Sequence, residues 1–210
     1  MEPPPAGHRW TDKSAARAWV RGGLAALDPT LLAGISRETA ANVIEFLGQR
    51  HRLPGARLMV YVPFRREIDP IMVASSVMSA GGSVCIGRCR DQGSVLEPFL
   101  LPPAAVQGGC WQLVDATPDA WGTPIPRDAT PVPAASISAV LVPGLAFDRH
   151  GGRLGRGAGI YDRFLATLPA ATLRIGLVPS AFLVERLPTD PHDVPMHAVA
   201  TERELVVTAR

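Results

Sequence analysis

Four short apolar runs stand out in the hydrophobic and polar pattern of the chain, and each is bounded by glycine, proline or polar residues. They cover residues 57–62, 83–86, 137–142 and 173–178. Runs of this length without regular polar alternation are typical of strands that are buried on both faces of a sheet. The pattern therefore predicts four central strands of a buried sheet.

Helix signals lie before and between these runs. Asp12 or Thr11 can cap a first helix that runs to about residue 27, because short polar side chains accept hydrogen bonds from the first free N–H groups. Asp28 and Pro29 start a second helix, for which a break near Gly34 is an open alternative.

The order of the elements predicts the fold class. Two further helices are expected over residues 70–80 and 160–168, so strands and helices alternate along the chain. This order predicts an α/β fold, with a mostly parallel sheet flanked by helices on both faces. We expect a single domain over residues 12–210 and a disordered tail over residues 1–11.

The middle and the end of the chain give weaker signals. Residues 95–101 and 111–114 are candidate strands, whereas residues 115–133 contain five prolines and predict an irregular connection. Residues 198–201 and 205–208 predict a terminal hairpin or two edge strands.

Composition and charge exclude several classes of protein. The 210 residues are 47% hydrophobic and 19% charged, with a net charge of +2, so we expect a large core and no nucleic-acid partner. Lys13 is the only lysine and no glycine precedes it, which excludes a Walker A phosphate loop.

Cysteine usage bears on the location of the protein. The three cysteines form no Cys-x-x-Cys pair, which argues against a disulfide framework and a four-ligand zinc site. We therefore expect a cytoplasmic protein. No apolar stretch suits a transmembrane helix, so no membrane partner is expected, and no obligate protein partner is inferred.

The clearest chemical signal is a glycine-rich loop over residues 144–159, between a predicted buried strand and a helix. Its alternating glycines allow backbone N–H groups to approach an anion, and the following helix adds partial positive charge. Arg153 and Arg156 add two cations, and Asp162 follows in the first helical turn, where it could hold a metal. The alternative is a glycine-rich turn with solvated arginines.

Two other groups of residues are candidates for ligand binding. Lys13 and Arg17 are four residues apart and share one helix face, as an anion site or as a solvated basic stripe. His192, His197 and Asp193 have the wrong spacing for one helical face, so a histidine-based zinc site is not favoured.

These residues resemble a known family. The segment from Pro143 to Arg163 reads Pro-Gly-x-x-Phe-Asp, then Gly-x-Arg-Leu-Gly-x-Gly-x-Gly, then Tyr-Asp-Arg, and is similar to the signature of 5-formyltetrahydrofolate cyclo-ligases. Three other regions agree in order and spacing. They are the Lys13–Arg17 pair, residues 62–69, and residues 187–193 with their His-Asp.

The resemblance implies an ATP- and Mg²⁺-dependent enzyme with a reduced folate as its second substrate. In this family, phosphate moves from ATP to the formyl oxygen of 5-formyltetrahydrofolate, and ring closure then gives 5,10-methenyltetrahydrofolate. By positional match, Arg156 and Lys13 are the candidate catalytic residues, and Asp162 and Asp193 the candidate metal ligands.

The same match assigns the binding residues. For ATP they are Lys13, Arg17, Arg153, Leu154, Gly155, Arg156, Gly157, Ala158, Gly159, Ile160 and Tyr161. For the folate they are Val62, Glu67, Arg156, Gly157, Ala158, Gly159 and Ile160.

The chain departs from the family pattern on the folate side. Ile160 stands where an aromatic residue is usual, Ala158 where glycine or lysine is common, and residues 88–101 fit the substrate segment poorly. Residues 121–126 match a Trp-x-x-Pro-x-Pro connection only loosely. Two alternatives stay open: a paralogue that phosphorylates another formamide or amide, and a non-catalytic nucleotide-binding module.

Overall fold

A computed structural model describes residue 10 and residues 12–50, 54–91 and 94–208 of the chain. The described part contains four α-helices: α1 (Lys13–Ala26), α2 (Pro29–Gln49), α3 (Ile71–Ser79) and α4 (Ile160–Ala166). Its strands are β1 (Arg57–Val60), β2 (Ser83–Arg90), β3 (Val95–Leu100), β4 (Val106–Gln107), β5 (Cys110–Trp111), β6 (Ala116–Pro118), β7 (Pro124–Pro126), β8 (Thr130–Pro131), β9 (Ala139–Pro143), β10 (Ala146–Asp148), β11 (Arg153–Leu154), β12 (Leu173–Leu177), β13 (Leu183–Val184), β14 (Ala198–Ala200) and β15 (Leu205–Val207).

Within these residues, eight strands form the main sheet, in the spatial order β15–β14–β12–β9–β1–β2–β3–β8. The five central strands, from β14 to β2, are parallel, and antiparallel strands close both edges. Taken alone, the parallel strands have the order 2-1-3-4-5 of a doubly wound sheet. The strand order reverses between β1 and β9, and ligands bind at such reversal points in open α/β sheets.

Helices cover both faces of the sheet. On one face, α2 and α3 pack through residues such as Val43, Leu47 and Val77 against β1 and β2. On the other face, α1 and α4 pack through Val20 and Leu165 against Met59 and the side chains of β9. The predicted fold class, a mostly parallel sheet flanked by helices on both faces, is confirmed.

The helix ends follow from the capping signals. The Asp12 carboxylate accepts hydrogen bonds from the backbone N–H groups of Ser14 and Ala15, at 2.7 and 2.9 Å, and starts α1. Asp28 does the same for α2, which has Pro29 in its first turn. The alternative of a break near Gly34 was wrong. α2 runs through this glycine because its buried face outweighs the helix penalty of about 1 kcal/mol.

Some weaker predictions differ from the structure. Residues 115–133 contain β6 and β7, which pair as a separate hairpin, and β8, which extends the main sheet. The candidate strand over residues 111–114 reduces to β5. The chain ends in an antiparallel hairpin of β14 and β15, one of the two predicted outcomes.

Two other predictions concern the ends of the chain and the membrane. The expected tail over residues 1–11 lies outside the described residues, apart from residue 10. None of the helices described combines the length and the apolar character that crossing a bilayer requires.

Candidate active site

A cleft of about 420 Å³ opens at the carboxyl ends of β1 and β9, where the strand order reverses. Residues 61–64, which follow β1, line one part of it, and Pro143 and Gly144, at the end of β9, line another. Small-molecule sites usually measure about 300–1,000 Å³. The topology of the sheet thus accounts for the position and the size of the cleft.

The Gly-rich loop, residues 144–159, is shaped by Asp148 at the end of β10. Its buried carboxylate accepts hydrogen bonds from the backbone N–H groups of His150 at 2.9 Å and Gly152 at 2.7 Å. It also accepts one from Leu187 at 2.9 Å. Hydrogen bonds to a charged acceptor are strong. Asp148 therefore ties the loop to the C-terminal segment, residues 187–193.

Two glycines let the loop continue into α4. Gly157 has a φ of +112°, and Gly159 caps the helix with a φ of +65°. Side chains are strained in this left-handed region, so glycine is required there. α4 has seven residues, fewer than the nine predicted, and its dipole adds little to anion binding.

Arg153 is a buried cation, with a side chain only 6% exposed. Its Nη2 donates to Asp162 Oδ2 at 2.7 Å and its Nη1 to the Pro143 carbonyl at 3.3 Å. Its Nε is buried without a hydrogen-bond partner. A buried donor without an acceptor is costly. Arg153 is also one of the residues that line the cleft.

The cations of α1 reach the cleft as well. Lys13 Nζ donates to Asp193 Oδ2 at 2.5 Å and to Asp190 Oδ2 at 2.8 Å. Burial lowers the pKa of Lys13, but the hydrogen bonds and charges of both aspartates outweigh it, and the net change is a raised pKa. Arg17 Nε donates to the Gly155 carbonyl at 3.0 Å. These contacts exclude the alternative of a solvated basic stripe.

Glu67 connects the segment after β1 to the Gly-rich loop. Its side chain is 12% exposed, and its carboxylate accepts hydrogen bonds from Arg156 Nη2 at 2.8 Å and from the Phe64 backbone N–H at 2.9 Å. The Arg156 guanidinium carbon lies 4.8 Å from the centre of the Phe64 ring. Glu67 is thus held inside the cleft.

Three other ionisable groups that line the cleft stay neutral. Burial raises the pKa values of Tyr61 and Tyr161 above the usual range of tyrosine. Burial, helped by the charge of Asp119, raises the pKa of Cys89 to about 11. None of these three groups is poised as a base or nucleophile at neutral pH.

Sequence reasoning missed one wall of the cleft, formed by residues 121–124 with Cys89 and Leu96. Trp121 is 49% exposed and supplies an aromatic surface. The sequence assigned no role to residues 88–135. The loose Trp-x-x-Pro-x-Pro match was the one signal that could have found this wall.

Comparisons with known proteins agree with this geometry. A model of the 5-formyltetrahydrofolate cyclo-ligase family matches residues 26–202. The 5-formyltetrahydrofolate cyclo-ligase of Mycolicibacterium smegmatis is 31% identical over 164 residues, which cover 76% of this chain and 80% of that protein. This chain belongs to the 5-formyltetrahydrofolate cyclo-ligase family.

Solved structures support the fold of this cyclo-ligase family member. The NMR structure of Aquifex aeolicus 5,10-methenyltetrahydrofolate synthetase has a TM-score of 0.76 and 23% identity, covering 94% of this chain and 93% of that one. The 5,10-methenyltetrahydrofolate synthetase from Mycoplasma pneumoniae has a TM-score of 0.71 and 17% identity, covering 91% and 99%. Because both sequence identities are below 25%, these structures show only that the fold is shared.

The predicted site residues of this cyclo-ligase come together in the cleft, with one exception. Leu154 is fully buried in the core, where it packs beneath the Gly-rich loop. The residues that line the cleft are Lys13, Arg17, Val62, Glu67, Arg153, Gly155, Arg156, Gly157, Ala158, Gly159, Ile160, Tyr161, Asp162 and Asp193.

The two candidate metal ligands lie in different surroundings. Asp193 forms a group with Asp190 and His192, whose ligand atoms lie within 4.8 Å of one another. Asp162 is not part of this group in the described residues and is paired with Arg153. His197, which the sequence analysis considered together with His192 and Asp193, is not part of this group. The segment is a turn, in which the Asp193 N–H donates to the Asp190 carbonyl.

The charges of the cleft balance. Among the described residues that line it, four side chains are cationic and four are carboxylates. The cations are Lys13, Arg17, Arg153 and Arg156, and the carboxylates are Glu67, Asp162, Asp190 and Asp193.

Proposed function

We propose that this protein converts 5-formyltetrahydrofolate to 5,10-methenyltetrahydrofolate with ATP and Mg²⁺. The observation that carries the proposal is one cleft in which buried cations of the family motif meet a carboxylate and exposed aromatic rings. We call Lys13, Arg17, Arg153 and residues 155–161 the nucleotide side, and residues 61–64, Glu67 and residues 121–124 the folate side.

The nucleotide side suits the phosphates of ATP. The guanidinium groups of Arg153 and Arg17 and the ammonium of Lys13 belong to residues that line the cleft, and they supply donors that charged oxygens accept. Phosphoryl transfer depends on positioning and on charge stabilisation more than on a protein nucleophile. The absence of a poised nucleophile among the described cleft residues is therefore no obstacle.

The folate side suits a flat ring with amide-type donors. The Glu67 carboxylate can accept hydrogen bonds from N–H groups of the pterin ring, and Phe64 and Trp121 offer aromatic surfaces. Arg156 contacts both Glu67 and Phe64 and belongs to the Gly-rich loop. It is therefore the residue we assign to the junction of the two substrates, where charge develops.

The proposed reaction has two steps. The γ-phosphoryl group of ATP is transferred to the formyl oxygen, which leaves ADP and an activated carbon. The neighbouring folate nitrogen then attacks this carbon, loses its proton, and the C–O bond breaks as inorganic phosphate leaves. Ring closure is intramolecular, so a cleft that holds the folate in a reactive conformation is itself catalytic. Arg156 and Lys13 are the residues placed to stabilise the transferring charge.

The residues of the cleft fit a magnesium ion. A hard cation prefers charged oxygen ligands, and the carboxylates of Asp190 and Asp193 lie together beside His192. We propose that Asp193 holds Mg²⁺, with Asp162 as a second carboxylate. When bound, Mg²⁺ neutralises phosphate charge during transfer. Lys13, which pairs with Asp190 and Asp193, would then be available to the phosphates.

The direct test mixes the protein with ATP, Mg²⁺ and 5-formyltetrahydrofolate and follows the methenyl product by its near-ultraviolet absorbance. We expect product only when all three are present, with one ADP and one phosphate formed per product. Reactions without ATP and reactions with a magnesium chelator are the controls. ATP binding without any folate turnover would contradict the proposal.

That negative result would favour a second candidate, a paralogue that phosphorylates another formamide or amide. The observation behind it is Ile160, which lines the cleft where the family usually has an aromatic residue. ADP release with an alternative amide, but not with 5-formyltetrahydrofolate, would support it. A cytoplasmic location and the lack of an obligate protein partner stay predictions from the sequence.

A further inference from the structure

The cleft wall that carries Trp121 is anchored by a single carboxylate, that of Asp119. Asp119 Oδ1 accepts hydrogen bonds from the backbone N–H groups of Trp121 at 2.8 Å and Thr123 at 2.9 Å. Its Oδ2 accepts one from the backbone N–H of Cys89 at 2.7 Å. Asp119 therefore joins the turn over residues 119–123 to strand β2 of the central sheet.

The Cys89 N–H can donate to Asp119 because β2 extends beyond the end of its neighbour β1. The pairing of β1 with β2 ends at Ile86, whereas β2 continues to Arg90 and pairs beyond that point only with β3 on its other side. The N–H of Cys89 is donated to Asp119. The β6–β7 hairpin that carries the turn is separate from the main sheet. The contact with Cys89 thus connects the wall to a rigid part of the fold.

Trp121 needs such an anchor. Its side chain is half exposed, so packing alone does not fix its position. A backbone hydrogen bond also closes the turn: the Asp119 N–H donates to the Thr123 carbonyl at 2.9 Å. The position of the indole in the cleft depends on the position of this turn, and the Asp119 carboxylate supplies the contact that ties the turn to β2.

We propose that Asp119 is a positioning residue that fixes the Trp121 wall and thereby sets the affinity of the cleft for the reduced folate. The inference rests on the proposed function. Asp119 does not line the cleft among the described residues, so it acts through Trp121 and Thr123 and not by contact with the substrate.

An aspartate is suited to this role because all three of its partners are donors. A carboxylate only accepts hydrogen bonds, whereas the amide of asparagine has an NH₂ group that would face one of the N–H groups. Asp119→Asn should therefore lose at least one of the three contacts, and Asp119→Ala all of them. The asparagine variant is the milder one and serves if the alanine variant folds poorly.

The experiment measures KM for 5-formyltetrahydrofolate and for ATP separately in Asp119→Asn, Asp119→Ala and the control Asp128→Asn. Asp128 is an exposed aspartate of the same connection that lies outside the cleft. We expect the folate KM of Asp119→Ala to rise about tenfold, the loss of a charge-assisted contact, with the ATP KM within about twofold. The control should leave both values unchanged.

A double variant separates positioning from general destabilisation. If Asp119 acts through the indole, Asp119→Ala should add little to the folate KM of Trp121→Ala, because interacting residues are not additive. Full additivity of the two substitutions, or an equal rise in both KM values, would overturn the proposal.

Different results would overturn the positioning role of Asp119 and the proposed function. A parent protein that converts the folate, together with Asp119 variants of unchanged folate KM, overturns the positioning role alone. A parent that neither binds nor converts 5-formyltetrahydrofolate overturns both the positioning role and the proposed function.

Discussion

The nucleotide side and the folate side of the cleft differ in how their functional side chains are held. Arg153 and Lys13 have side chains that are 6% and 17% exposed, and each is fixed by ion pairs. Phe64 and Trp121 are 48% and 49% exposed. Charged groups need fixed partners when they are buried, whereas an aromatic surface can stay open until a ring covers it.

This difference explains why the two sides look unequal in the sequence. The nucleotide side depends on glycines, arginines and a lysine whose spacing is dictated by one loop and one helix. The folate side depends on single aromatic and acidic side chains in two segments, which follow β1 and precede β7, and such residues form no repeating pattern. The nucleotide side is therefore easier to detect in the sequence.

The largest effect is expected on the nucleotide side. Lys13→Ala and Arg153→Ala each remove a proposed charge-assisted contact with phosphate, which would contribute about 1.5–3 kcal/mol. We expect kcat/KM for ATP to fall between about tenfold and a hundredfold, measured at saturating folate. Arg21→Ala is the matched control, because Arg21 is exposed one helical turn beyond Arg17 on α1. Wild-type ATP dependence in both variants would remove the phosphate role.

A smaller and selective effect is expected on the folate side. Glu67→Gln keeps the shape of the side chain but weakens its acceptance of hydrogen bonds from the ring and breaks the ion pair with Arg156. We expect KM for 5-formyltetrahydrofolate to rise about tenfold and KM for ATP to change far less. Glu97→Gln, at a surface pair with Arg90, is the control. Unchanged folate kinetics would show that Glu67 only supports the loop.

The next prediction tests the two proposed magnesium ligands. Asp193→Asn and Asp162→Asn each replace a proposed charged oxygen ligand by a neutral amide, so the Mg²⁺ concentration for half-maximal activity should rise severalfold. The two variants need not behave alike, since Asp162 is paired with Arg153. If Asp162→Asn lowers the melting temperature but leaves the magnesium titration unchanged, Asp162 supports Arg153 and Asp193 remains the metal ligand.

The smallest effect is expected for Glu204, which lies outside both sides of the cleft, and it tests how the stability of the fold depends on pH. The hydrogen bond from Arg149 lowers the pKa of Glu204 below its usual 4.5. The stabilisation is therefore present above pH 4.5 and is lost as the pH falls through the lower folded-state pKa. This exposed pair is worth about 1 kcal/mol or less. Glu204→Gln should lower the melting temperature at pH 7 by at most about 4 °C.

Measurement at low pH is the control for the Glu204→Gln variant. As the pH falls through the lowered folded-state pKa of Glu204, the carboxylate loses its charge, so the difference between the two melting temperatures should shrink. A difference that stays constant from pH 7 to pH 3 would mean that Glu204 acts through packing and not through its charge.

The features that could be predicted from the sequence depend on residues that are close together in the chain. The caps Asp12 and Asp28, the central strands and the Gly-rich loop depend on neighbours within a few residues, and the structure confirms the fold they imply. The presence of Lys13 and Glu67 in the cleft followed from family resemblance, because contacts across more than 80 residues leave no local pattern.

The parts that were missed depend on distant partners or on a wrong assumption about geometry. The contact of Asp119 with Cys89 joins an irregular segment to a strand 30 residues away, which no periodicity indicates. The grouping of His192 with Asp190 and Asp193 depends on a turn, which the spacing of residues on a helix does not describe. The three-residue strands β6 and β7 are too short to produce an alternating pattern.

The balance of four cations and four carboxylates in the cleft has a kinetic consequence. A binding site of one sign attracts an oppositely charged ligand from a distance, and its association rate falls steeply with added salt. Ion pairs of opposite charge give the cleft little field of one sign at long range. If the cleft binds Mg-ATP as proposed, its association rate should therefore depend only weakly on ionic strength. The attraction for the phosphates would act at short range, where they could replace the carboxylates as partners of Lys13 and Arg153.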